Sequence, residues 1–172
     1  MSARSARWLL PVIYLGFISL GLPDGSLGTA WPQVHQTLEL AVGLAGPLLL
    51  AATLFGAASS LISAWLISRL GTGPVVMISC LFTASGLLML ASAPNAMWLW
   101  AAALPLGLGA GAVDASLNGF VAKHYEARHM NWLHGCWGIG ATAGPLVMAA
   151  ALSTSEEGWR TGYLVLGGTQ LA

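Results

Sequence analysis

Two aspartates lie inside apolar stretches of this chain: Asp24, in Gly21-Leu-Pro-Asp24-Gly-Ser-Leu-Gly28, and Asp114, in Gly111-Ala-Val-Asp114-Ala-Ser-Leu-Asn118. A carboxyl group in hydrocarbon costs at least about 2.5 kcal/mol, so one that is kept there faces a wet cavity or a partner. Around Asp114, the residues Gly107, Gly111, Asp114 and Asn118 recur at helical spacing. One helix stripe would thus carry two small residues that permit close approach, then a carboxyl and an amide that reach a substrate, which makes Asn118 a candidate solute-binding residue. Asp114 is therefore the candidate proton-coupling group, binding and releasing a proton as a cavity alternates. The competing reading is a structural carboxyl bonded to a neighbouring helix. Pro23 removes a backbone donor and breaks the helical ladder beside Asp24, which makes that position a candidate for binding solute hydroxyls, or a plain kink near the outer surface. A third polar group is Met130-Asn131-Trp132-Leu133-His134-Gly135-Cys136-Trp137-Gly138. Asn131, His134 and the indole of Trp137 together suit hydrogen bonding and stacking on a sugar ring. Taken alone, His134 reads equally well as an interfacial or structural histidine.

Other chemistry is poorly supplied. No cluster of His, Cys and carboxylates has metal-ligand spacing, and nothing calls for a cofactor. Cys80 and Cys136 are far apart, each inside an apolar run, and read as packing residues. Ser59, Ser60 and His134 form no nucleophile motif, which leaves an intramembrane enzyme as a distant alternative.

The elements that position these groups follow from composition. The chain has 172 residues, 56% hydrophobic and 7% charged, against about 25% charged in an ordinary soluble domain. Six basic and six acidic residues cancel, so no field attracts nucleic acid. A bilayer core of about 30 Å needs roughly 20 apolar residues per helix. Runs at 8–29, 44–66, 74–91, 97–121 and 132–152 meet that length, and a sixth starts at 159 and is expected to be cut short by the chain end at 172. The fold expected is all-α and polytopic. Arg4, Arg7, Arg69, Lys123 and Arg128, five of the six basic residues, fall on one side of these spans, which predicts a cytoplasmic amino terminus in an inner membrane. Reading the first run as a signal peptide is disfavoured, because it is long and four more spans follow.

The chain also echoes itself. Asp24 and Asp114 sit in matching segments, and Ala45-Gly46-Pro47-Leu48 in the second span pairs with Ala143-Gly144-Pro145-Leu146 in the fifth. A repeat of three helices inserts its second copy upside down, giving an inverted 3+3 arrangement. Chance matching of Ala, Leu and Gly-rich sequence is the alternative.

The Asp114-to-Asn118 element, the Met130-to-Gly135 opening and the six-helix topology resemble the fucose/glucose-type sugar:proton symporter branch of the major facilitator superfamily. That resemblance implies a carboxylate for proton coupling at Asp114, with Asn118 four residues on at the position that follows it in related permeases. It implies that residues 1–172 are an amino-terminal half, that a missing carboxy-terminal six-helix half is the partner, and that cargo and protons cross the bilayer between the two. Gln33, after Trp31-Pro32, looks like the end of the family's first helix. The loop between the second and third spans departs from the family pattern and keeps Arg69 and Gly71 as its gating residues, with Ser68 in the aspartate's place. Gly140 to Pro145 resembles part of an antiporter motif, yet Met148 and Ala149 stand where its last glycines belong. Proton-coupled uptake of a sugar or similar polar solute is thus the expected function, with efflux of drugs or metabolites on the same fold as the rival.

Overall fold

In a computed structural model, residues 3–171 are described, with side chains from Trp8 onward. The Arg4 and Arg7 side chains, which contribute to the expected orientation, lie outside the described residues, as does Ala172. Among the described residues every regular element is helical: α1 (Ala3–Gly21), α2 (Ser26–Thr37), a 3-10 turn (Val42–Leu44), α3 (Ala45–Leu70), α4 (Thr72–Ala91), α5 (Ala96–His124), α6 (Ala127–Leu152) and α7 (Gly158–Leu171). Five segments are long and apolar enough to cross a membrane, the first being α1 and α2 together over Trp8–Thr37.

Local chemistry sets the breaks. Beside Pro23, Gly25 takes a left-handed φ of 74°, and α2 starts directly after it, so the first span is two helices joined at Asp24. This span runs to Thr37, beyond the expected end at 29, because Ala30, Trp31 and Val34 bury one face of α2 although Gln33, His35 and Gln36 lower its hydropathy. Gly71, the loop glycine expected from the sequence, is with φ 84° the single residue between α3 and α4 and turns the chain there. The side chain of Asn95 caps α5 by accepting from the Trp98 amide at 3.1 Å.

Lipid offers no hydrophobic drive for helices to associate, so close packing relies on small residues. Between α3 and α5, a Cβ on Gly107 would strike the Ala52 carbonyl and one on Gly111 the Gly56 backbone. Ser59 donates to the Leu108 carbonyl at 2.6 Å, and Ser60 to that of Gly111 at 3.0 Å. Between α1 and α6, Gly140 lies against Ile18, Gly144 against Leu22, and Gly21 against the Trp137 carbonyl. Ser59 and Ser60 are therefore packing residues, with their hydroxyls committed to the neighbouring helix.

The first span packs on the fifth and the second on the fourth, while the third packs mainly on the fourth and less extensively on the sixth. A two-fold axis relating the first three spans to the last three would interchange the first two of these contacts and map the third-to-sixth contact onto itself, but the extensive third-to-fourth contact lacks a comparable sixth-to-first counterpart among the described residues. One apolar cluster, including Ile13, Phe17, Val113, Leu117 and Leu133, fills the bundle end nearest Arg69 and Lys123. A second, with Trp31, Leu87, Leu99, Met148 and Trp159, fills the opposite end.

Candidate functional site

The two aspartates share a cavity of about 390 Å³. Its walls come from the α1–α2 break (Leu20, Pro23, Asp24, Ser26, Leu27), the first half of α3, the second half of α4, α5 from Leu99 to Asp114, Trp137 of α6 and Tyr163 of α7. The small residues of α5 serve two ends at once. Gly107 and Gly111 admit the α3 backbone and also line the cavity, so the carboxyl one turn on can look inward. The lining extends from Leu48, Leu90 and Leu99 at one end of the bundle to Asp114 and Trp137 near the middle. The Arg69 and Lys123 end contributes none of it.

Asp24 is anchored across the bundle. The Trp137 indole N–H donates to Asp24 Oδ2 at 2.9 Å, linking the break in the first span to the middle of the fifth. This geometry depends on the close α1–α6 approach, since Gly21 lies on the Trp137 carbonyl. On α5, Asn118 Nδ2 donates to Asp114 Oδ1 at 2.9 Å, one turn along the same stripe. Asn118, expected to bind solute, is outside the lining and meets it only through its hydrogen bond to Asp114. None of the lining residues is Lys, Arg or His, so two carboxylates face the space without a cation among them.

The remaining expected site residues lie elsewhere. His134 packs edge-on to Phe17 of α1, with ring centroids 6.2 Å apart, and Asn131 is exposed in the second turn of α6. Neither lines the cavity, although both share an α6 face with Gly138 as their spacing predicts. Arg69 is exposed at the end of α3, with its guanidinium 5.7 Å from the Trp65 ring centroid, and Gly71 makes the turn that follows. Tyr163 and Ser26 are cavity residues that sequence reasoning missed. Tyr163 follows an Arg and two small residues in a segment that reads only as apolar, and Ser26 reads as part of a kink.

The family model described as Major Facilitator Superfamily matches residues 13–171. No curated protein matches the chain.

Proposed function

This chain belongs to the major facilitator superfamily, a family of membrane transporters, and on that premise we propose that it is the amino-terminal half of a proton-coupled importer for a sugar or a similar small, uncharged polar solute. The observation that carries this reading is the shared cavity: Asp24 and Asp114 both line it, and no basic side chain among its lining residues neutralises them. Ionised carboxylates only accept hydrogen bonds, which suits the hydroxyl protons of a neutral polyol and repels an anion. Asp114, held by Asn118, is the proton-coupling group, and Asp24 and Trp137 bind the solute. Asn131 and His134 belong to the inter-half face, where a carboxy-terminal six-helix half completes the site. Arg69 and Gly71 form the gating loop. With the amino terminus cytoplasmic in an inner membrane, the cavity faces the outer side.

Leu20, Leu27, Leu48 and Leu49 give the cavity apolar walls, which favours one rival, an exporter of amphipathic drugs or metabolites. The direction of proton-driven flux separates the two. Accumulation of labelled neutral sugars is measured in cells expressing the gene, with Asp114→Asn beside it. Proton-driven accumulation lost in the variant, with solute exchange retained, is the expected result. Undiminished accumulation in Asp114→Asn removes Asp114 from coupling, and outward flux supports the exporter.

A further inference from the structure

Four hydroxyl side chains line the cavity, and three of them are already spent. Ser26 donates to the Pro23 carbonyl at 2.6 Å, Thr53 to that of Leu49 at 2.9 Å, and Thr83 to that of Cys80 at 2.9 Å. The fourth, Tyr163, is 1% exposed; its hydroxyl sits beside that of Ser26 but completes no hydrogen bond of good geometry with it or with any other described residue. A buried hydroxyl left unpaired is destabilising, whereas Phe would fill the same space without that penalty. Its surroundings also hold the ring firmly. Trp159 packs edge-on to it with centroids 6.5 Å apart, Gly162 lies on the Met148 side chain, and Arg160 ties α7 to the carbonyls of Ala91 and Ala93 at 3.1 and 2.8 Å. A fixed donor therefore stands in a wall whose charged groups are acceptors only.

A polyol needs both kinds of partner, because each hydroxyl gives a proton and also offers lone pairs. The carboxylates of Asp24 and Asp114 take the protons, and the Trp137 N–H is already engaged by Asp24. We propose that Tyr163 of α7 is a solute-binding residue, its phenol donating a hydrogen bond to an oxygen of an uncharged polyhydroxylated solute held by Asp24 and Asp114. This assignment rests on the sugar reading above and makes the sixth span part of the binding wall.

Tyr163→Phe is the test, made in membrane vesicles from cells expressing the gene and read with a panel of labelled neutral sugars. Removing one neutral hydrogen bond weakens solute binding roughly three- to tenfold, while the melting temperature stays level or rises. An unchanged affinity overturns the assignment. So does a lowered melting temperature with unchanged affinity, matched by Ser26→Ala, because the phenol then serves the fold. A second variant is independent of the solute: Tyr163→Cys, with Cys80→Ala and Cys136→Ala, is labelled by a small water-borne thiol reagent if the position faces the cavity. Absence of labelling overturns the placement. Failure of the wild type to bind any sugar, with labelling intact, overturns the functional reading and the solute class instead.

Discussion

Gly46 and Gly144 occupy the same place in two nearly identical segments, yet the structure gives them opposite sensitivities to an added methyl group. A Cβ at Gly144 would overlap the Leu22 carbonyl oxygen and crowd its Cα, whereas a Cβ at Gly46 meets nothing within 4 Å. Two effects compete in Gly144→Ala. Alanine favours a helix interior over glycine by about 0.8–1.0 kcal/mol. Against this, the overlap is with backbone, so no rotamer change relieves it, and α1 must move away from α6 at an overpacking cost of about 1–3 kcal/mol. Separation also loosens the adjoining contact of Gly140 with Ile18. The net expectation is a loss of about 1–2 kcal/mol, a factor of roughly 5–30 in the folded ratio. In Gly46→Ala only the propensity effect operates, reduced because Gly46 is the second residue of α3, and stability is unchanged or slightly higher. Thermal unfolding of the detergent-solubilised protein, followed by loss of the monodisperse peak on size exclusion, measures both. A Gly144→Ala protein that melts at or above the wild-type temperature, or equal shifts for the two variants, refutes the packing argument.

Trp137→Phe keeps an aromatic wall but deletes the N–H held by Asp24, a charge-assisted bond at the low end of about 1.5–3 kcal/mol because both partners are open to the cavity. Solute KM should rise about tenfold with expression unchanged, and an unaltered KM shows that the indole bond plays no part in binding. Arg160→Lys cannot reproduce a guanidinium that donates to Ala91, Ala93 and Glu157 while its centre lies 4.1 Å from the Trp159 ring centroid. It should cost about 1–2 kcal/mol, read as a lower melting temperature, and an unchanged melt would mean that the α4–α7 seam does not depend on this residue.

Much of this architecture is legible in the chain because hydrocarbon permits so few backbone solutions. Long apolar runs mark the spans, and the rare internal charges mark the wet interior. Asp24 and Asp114 were found by that logic, and the structure places both on one cavity. Boundaries were less legible for a physical reason: hydropathy reports the hydrocarbon zone, whereas helices continue into the headgroup region. Thus α2 carries Gln33, His35 and Gln36 to Thr37, and α6 begins at Ala127, five residues before the apolar run at Trp132. Helical spacing put Asn131, His134 and Gly138 on one face, but spacing carries no information about which neighbour that face meets. Phe17 meets His134, and the cavity meets Trp137 one turn away. Tyr163 was illegible because its importance arises from three other hydroxyls being spent, a relation that only coordinates reveal.

The two internal sequence matches make different demands on the contacts. Gly21 and Gly111 are 90 residues apart, and each brings a neighbouring backbone close: Gly111 meets Gly56, and Gly21 meets the stretch from Trp137 to Ala141. If Gly21 corresponds to Gly111, then Gly56 corresponds to residues 137–141, a shift of 81 (137 − 56) to 85 (141 − 56). The Ala-Gly-Pro-Leu match demands 98 (144 − 46), and its two glycines have unlike surroundings. The two sequence matches therefore place the second and fifth spans in different registers and do not describe one common repeat. Asp24 and Asp114, on different helices and far apart in the chain, nevertheless line the same cavity, and each follows, by three residues, a glycine that brings its helix onto a partner.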